Sequence, residues 1–323
     1  MAESAAHSPA QPGVVLGLTF LLIGLTFALP FELVPTSQSG DFTPEIANVY
    51  ACVAWAGWAH FLFAFRGQGS ALTRIKDTYK NGRLIAYGIC LALTVFVLVG
   101  ARSLSGVAVF GAVVWVYFID HFIKAEQSFE GKNSAGSTLV RWLSSYQPLI
   151  SFGWLSVVLM NVGGINSHPW ALLGISFAVG AVILFFGGWK NLSKGDVRGP
   201  LLSLFFVAEA LVWGTYSRYG GPQFLTGVYV FHIAAGSYFH YLGSYFFANA
   251  KSRSKDALLT PLGVLAVNVA VIAVGYTVAH QPALAWLTPI LGIQWFTLWV
   301  AVHLVISDLF PIVRGWRLQR APA

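Results

Sequence analysis

An all-α, polytopic membrane helix bundle is the fold class this sequence predicts, and three observations predict it. Hydrophobic residues make up 56% of the 323 residues and charged ones only 10%, against about 25% charge in a soluble globular domain. Apolar windows about 20 residues long, enough for a helix to cross a bilayer, recur along the chain. The basic residues cluster between alternate windows, the pattern that sets orientation in a membrane.

The windows lie near 13–34, 46–65, 84–100, 107–126, 146–164, 170–189, 200–219, 223–249, 257–279 and 283–310. They predict about ten transmembrane helices in a single domain over 13–313, between an N-terminal tail at 1–12 and a basic C-terminal tail at 314–323. The first twelve residues hold no Lys or Arg, so the first window lacks the basic n-region of a cleaved signal and is expected to be a retained helix, bent at Pro30. Arg66, Arg74, Lys76, Lys80 and Arg83 follow the second window, and Lys124, Lys132 and Arg141 end or follow the fourth. Lys190, Lys194 and Arg198 follow the sixth, Lys251, Arg253 and Lys255 the eighth, and Arg314, Arg317 and Arg320 the tenth. Only Arg102 and Arg218 fall on the other face. Under the positive-inside rule both termini are cytoplasmic, and a multi-pass protein of a bacterial inner membrane is expected. The net charge of +7 therefore reports topology, and no nucleic-acid partner is expected. Cys52 and Cys90 both sit in apolar windows, which gives neither a disulfide framework nor a CxxC metal motif.

Ionisable residues inside a span cost several kcal/mol to insert and mark candidate sites. His60 stands six residues before Arg66, His121 eleven before Lys132, His240 eleven before Lys251 and His303 eleven before Arg314. At 1.5 Å rise per residue, all four lie roughly 9–16 Å from the cytoplasmic edge. They belong to even-numbered spans, which run in one direction, so a bundle can aim four imidazoles at one metal ion. A lone histidine near a helix end is more often a snorkelling or hydrogen-bonded residue; agreement in depth among four is what argues for ligands. His168 and His280 fall in outer loops and His7 in the tail, where solvation is expected.

Acids share the layer: Asp120 and Glu126 on span four, Glu209 on span seven and Asp308 on span ten. Imidazole with carboxylate suits non-haem iron, and less specifically zinc, copper or manganese. A carboxylate can also orient a ligating imidazole through its second nitrogen. Glu126 and Asp308 are candidates for that task, and Glu209 for a further ligand or a proton carrier; the spacing does not assign the four acids individually. His232 lies eight residues from His240, about 12 Å along a regular helix. It cannot share an ion with His240 unless Gly236 breaks the helix, and it is expected to support a ligand from outside the coordination sphere, line a substrate channel or serve a structural role. Tyr238, Trp295 and Trp299 stand among aromatic runs beside the histidines. They are candidates to line a slot for a flat apolar molecule, with helix packing and lipid contact as the plainer account.

His121-Phe-Ile-Lys-Ala-Glu126 resembles the HFxxxD element of the bacterial and archaeal Brp/Blh membrane β-carotene 15,15′-dioxygenases, with Glu for Asp. His303-Leu-Val-Ile-Ser-Asp308 resembles their late PHxxxxD element, with Val302 in place of the proline. The order of motifs is also similar: an early His60, then His121, the pair His232 and His240, then His303. His60 precedes Phe-Leu-Phe-Ala where that family has HGxxD, and the pair is eight apart rather than four. The resemblance implies a non-haem Fe(II) centre held by histidines, which uses O₂ to cleave a polyene dissolved in the membrane.

The expected function is accordingly an integral-membrane, His-ligated non-haem iron oxygenase acting on an apolar lipid or isoprenoid, carotenoid-like substrate. Its partners would be O₂, that membrane-dissolved molecule and the surrounding lipid. Two alternatives stand beside it: a proton-coupled carrier using the same residues as a relay, and a b-type haem protein with two of the histidines as axial ligands.

Overall fold

The computed structural model describes residues 12–40, 42–74, 80–129, 222–251 and 256–315. Among these residues the regular structure is entirely helical. The elements are α1 (Pro12–Phe27), a single turn α2 (Thr36–Ser39), α3 (Pro44–Thr73), α4 (Lys80–Phe129), α5 (Pro222–Lys251), α6 (Pro261–His280), a single turn α7 (Thr288–Leu291) and α8 (Phe296–Gly315). Short 3₁₀ turns occupy Ala257–Leu259, Pro282–Leu287 and Ile293–Trp295.

Four helical stretches among the described residues are long and apolar enough to cross a membrane: Pro44–Thr73, Asn81–Phe118, Pro261–His280 and Pro282–Gly315. The windows expected near 146–164, 170–189 and 200–219 lie outside the described residues.

Helix starts follow local chemistry. Thr43 caps α3, its hydroxyl accepting from the Ile46 amide at 3.5 Å, with Pro44 in the first turn, where its missing N–H costs nothing. Thr260 caps α6 in the same way at 3.1 Å from the Gly263 amide, ahead of Pro261. The first window does not bend at Pro30 as expected. α1 ends at Phe27, because the residue before a proline is pushed out of helical geometry. Asn48, buried on α3, secures the chain that follows α1, accepting from the Leu33 amide at 2.7 Å and donating to the Phe31 carbonyl at 2.9 Å.

α4 is two helices joined at Gly106, whose φ of 77° and ψ of 162° lie outside helical geometry. Contacts with α8 show that the chain reverses there. Arg102 donates to the Gln294 carbonyl at 3.1 Å and Tyr87 packs on Phe310, so the first arm runs antiparallel to α8. Trp115 meets Phe296 and His121 meets His303, so the second arm runs parallel to it. The third and fourth expected spans are the two arms of this hairpin.

α3 and α5 share that direction. Trp55 donates to the Leu291 carbonyl while Phe65 packs on His303, aligning α3 with α8. Gly227 faces Ile46 and Tyr245 faces Phe63, aligning α5 with α3. α6 returns in the opposite sense: Asp256, just before it, pairs with Arg66 at 2.7 Å, and Gly275 admits the indole of Trp55 where a Cβ would stand.

The tenth window, expected as one helix from 283 to 310, is broken before α8. Pro289 and Gly292 interrupt it, Pro282 opens a 3₁₀ turn at its start, and three indoles hold the irregular segment. Trp299, Trp58 and Trp55 donate to the carbonyls of Pro289, Ile290 and Leu291, each at 2.9 Å. Backbone acceptors left unmet in an apolar bundle would cost several kcal/mol; indole N–H groups from α3 and α8 meet these three.

Candidate metal centre

The four parallel helices bring His60 (α3), His121 (second arm of α4), His240 (α5) and His303 (α8) into one cluster. Ring centroids are 5.1 Å apart for His60 and His240, 5.2 Å for His60 and His303, 5.7 Å for His121 and His240, and 5.4 Å for His121 and His303. Each imidazole thus touches two others, and the contacts close into a ring. His60, His240 and His303 are buried and His121 is half-buried.

Aromatic side chains wall the cluster. Phe61 stacks on His303 at 4.8 Å and Tyr241 stacks on His60 at 4.9 Å. Phe122 lies 5.1 Å from His240 and Phe118 6.1 Å from it. Gly57, one turn before His60, makes room: a Cβ there would stand 2.7 Å from both a Phe296 ring carbon and the Tyr241 hydroxyl.

Two observations bear on whether these residues suit a metal ion. Both ring nitrogens of His303 are buried without a hydrogen-bond partner, and a polar atom left so costs about 1–3 kcal/mol. The ring spacing is also that of a coordination sphere. A metal about 2.1 Å from an imidazole nitrogen lies about 3.2 Å from that ring's centroid, so two rings at a tetrahedral angle have centroids about 5.2 Å apart. As the side chains stand, no group of three or more His, Cys, Asp or Glu among the described residues is set to hold a metal ion. The rings are therefore at ligand spacing while their nitrogens are not converged on one point. Four imidazoles are a donor set of the kind that binds transition metals, and bringing their nitrogens to one point would require the rings to turn about their own side-chain bonds, a smaller change than bringing four helices together.

The remaining expected site residues are placed as follows. Asp308 is exposed, and its carboxylate accepts a hydrogen bond from the Tyr117 hydroxyl. Five residues along a helix turn the chain by about 500°, so Asp308 points roughly 140° away from His303. The side chains of Asp120 and Glu126, and the whole of Glu209, lie outside the described residues, as does His168. α5 runs through Gly236 without a break, which keeps His232 two turns away from His240. His232 and Tyr238 are both buried. Trp295 lies under the Arg102 guanidinium at 4.1 Å, and Trp299 packs on Trp58 at 4.8 Å while holding the Pro289 carbonyl. Both tryptophans thus have packing partners of their own. His280 bonds the Tyr276 carbonyl at 3.0 Å at the far end of α6.

Sequence reasoning missed Ser244 and Tyr117. Ser244 lies 3.1 Å from Nδ1 of His60, and its only sequence signal is a spacing of four from His240, which puts both on one face of α5. Tyr117 stands four before His121 in the same relation. No family model matches this chain, and no curated protein or solved structure matches it.

Proposed function

We propose that this protein is an integral-membrane, His-ligated non-haem iron oxygenase acting on an apolar lipid or isoprenoid substrate. The observation that carries the reading is the closed cluster of four imidazoles, each from a different helix. His60, His121, His240 and His303 would hold Fe(II), which would supply O₂ activation when bound.

The chain's own residues supply the rest. Phe61, Phe118, Phe122 and Tyr241, all buried, exclude water from the cluster. Asp308 acts through Tyr117, tying the helix of His303 to the helix of His121. Glu209 remains a candidate for a further ligand or a proton carrier, Glu126 for orienting a ligand, Asp120 for an acid role in the same layer, and His232 and Tyr238 for the substrate path on the side of His240 away from the basic loops. The topology proposed with this function is ten spans with both termini cytoplasmic, in a bacterial inner membrane. Its support is the basic-residue pattern, together with the shared direction of the four histidine helices, whose C-terminal ends all point to one face.

A carrier finds support in one feature, the broken segment before α8, since carriers build sites from discontinuous helices. That break ends at Trp295, eight residues from His303 and so about 12 Å along the axis, and it does not join the cluster. A haem is disfavoured because His60 touches both His240 and His303, which leaves no gap for a macrocycle between those rings.

The test is turnover. Iron-reconstituted protein in lipid nanodiscs is incubated with carotenoids and other apolar isoprenoids, and O₂ consumption and oxygenated products are followed. Product formation that needs both iron and O₂ supports the reading; iron-independent proton or solute flux without product would replace it with the carrier.

A further inference from the structure

The geometry assigns to Ser244 the task of fixing which nitrogen His60 presents to a metal. This inference rests on the metal reading above and adds a residue that acts through His60 rather than on a substrate.

The Ser244 hydroxyl lies 2.7 Å from the Tyr241 carbonyl oxygen and 3.1 Å from Nδ1 of His60. Two oxygens 2.7 Å apart need a hydrogen between them, and a carbonyl has none to give, so the single Ser244 proton goes to Tyr241. Ser244 can then only accept from His60. Nδ1 of His60 must carry a hydrogen, and in a neutral imidazole Nε2 is left with its lone pair free. Ligating histidines characteristically donate their second ring N–H to an acceptor, which fixes the tautomer and the ring's rotation.

The local structure reinforces this choice. The Tyr241 ring, only 24° from parallel with His60, holds the imidazole plane while Ser244 selects its edge. Both partners belong to α5, which also carries His240, so one helix supplies a ligand and positions another. His60 Nε2 is thus the predicted ligating atom, and the tautomer is set before any metal arrives.

The test uses full-length protein in detergent micelles. Protein labelled with ¹⁵N-histidine is studied by NMR in the metal-free state, with the His60 signals identified by their loss in His60→Gln. Wild type should show His60 protonated at Nδ1. Ser244→Ala should lose that preference, and Ser244→Thr, which keeps a hydroxyl able to bond the preceding turn, should restore it. Titration with Co²⁺, followed by its visible bands, should show affinity about 10–100-fold weaker in Ser244→Ala and near wild type in Ser244→Thr. His60 protonated at Nε2 in wild type, or an unchanged tautomer in Ser244→Ala, would overturn the inference. Wild type that takes up no Co²⁺ while His60 keeps its proton on Nδ1 would overturn the ligand assignment itself, which separates failure of the metal reading from failure of the tautomer argument.

Discussion

Phe61 and His303 are stacked, with 4.8 Å between ring centroids and 21° between planes. Consecutive residues His60 and Phe61 on α3 therefore both engage the cluster, one as an imidazole and the other as a wall that fixes the far imidazole's plane. Phe61→Leu keeps most of the volume and removes the flat face. Metal affinity should fall by about tenfold, as for other residues that orient a ligand from outside, while the helical content stays that of wild type. Co²⁺ titration with far-ultraviolet circular dichroism on the same sample checks both halves.

Gly57→Ala probes the close approach of α3, α5 and α8. The new methyl would stand 2.7 Å from Phe296 and from the Tyr241 hydroxyl, so both rings, or α3 itself, must move. Overpacking of this kind costs about 1–3 kcal/mol, and a shifted Tyr241 would no longer stack on His60. Lower resistance to denaturant together with weaker metal uptake is the expected pair of results.

Tyr117 and Asp308 join the second arm of α4 to α8 through one hydrogen bond. Tyr117→Phe and Asp308→Asn should each lower stability by about 0.5–1.5 kcal/mol, and both should retain bound metal because neither side chain is placed as a ligand. The double variant should be less destabilised than the sum of the two, which a double-mutant cycle in mild denaturant measures.

Gly106 turns the hairpin with a positive φ of 77°, a conformation that costs a side chain of order 1–3 kcal/mol. Gly106→Ala should destabilise the fold by that amount. Metal content should be unchanged, since the turn lies fifteen residues from His121, about 22 Å along the arm.

The clustering of the four histidines was legible in the sequence because two independent signals coincided. Counting back from the basic clusters placed His60, His121, His240 and His303 at one depth, and even-numbered spans share a direction; together these allowed the four rings to meet, as their contacts show they do. Other parts were hidden for physical reasons. Hydroxyls on apolar helices usually bond their own preceding turn, as Thr19, Thr26 and Ser105 do, so nothing set Ser244 apart until His60 was seen beside it. Hydropathy counts apolar residues and not backbone geometry, so the window at 283–310 read as one helix. Its prolines were visible, but the indole donors that make the irregular path affordable come partly from α3, more than 230 residues earlier. The acid five residues after His303 looked like a partner for it, although helical periodicity already turns that position away.

The most direct test of the central claim is the metal content of detergent-purified protein, prepared without chelators and reconstituted with ferrous iron, in wild type and in His121→Ala, His303→Ala and His280→Ala. Four clustered imidazoles acting as ligands predict about one iron per chain in wild type and in His280→Ala, no Soret band, and loss of the metal in the other two. Wild type that binds no iron, or full retention by both His121→Ala and His303→Ala, would contradict it.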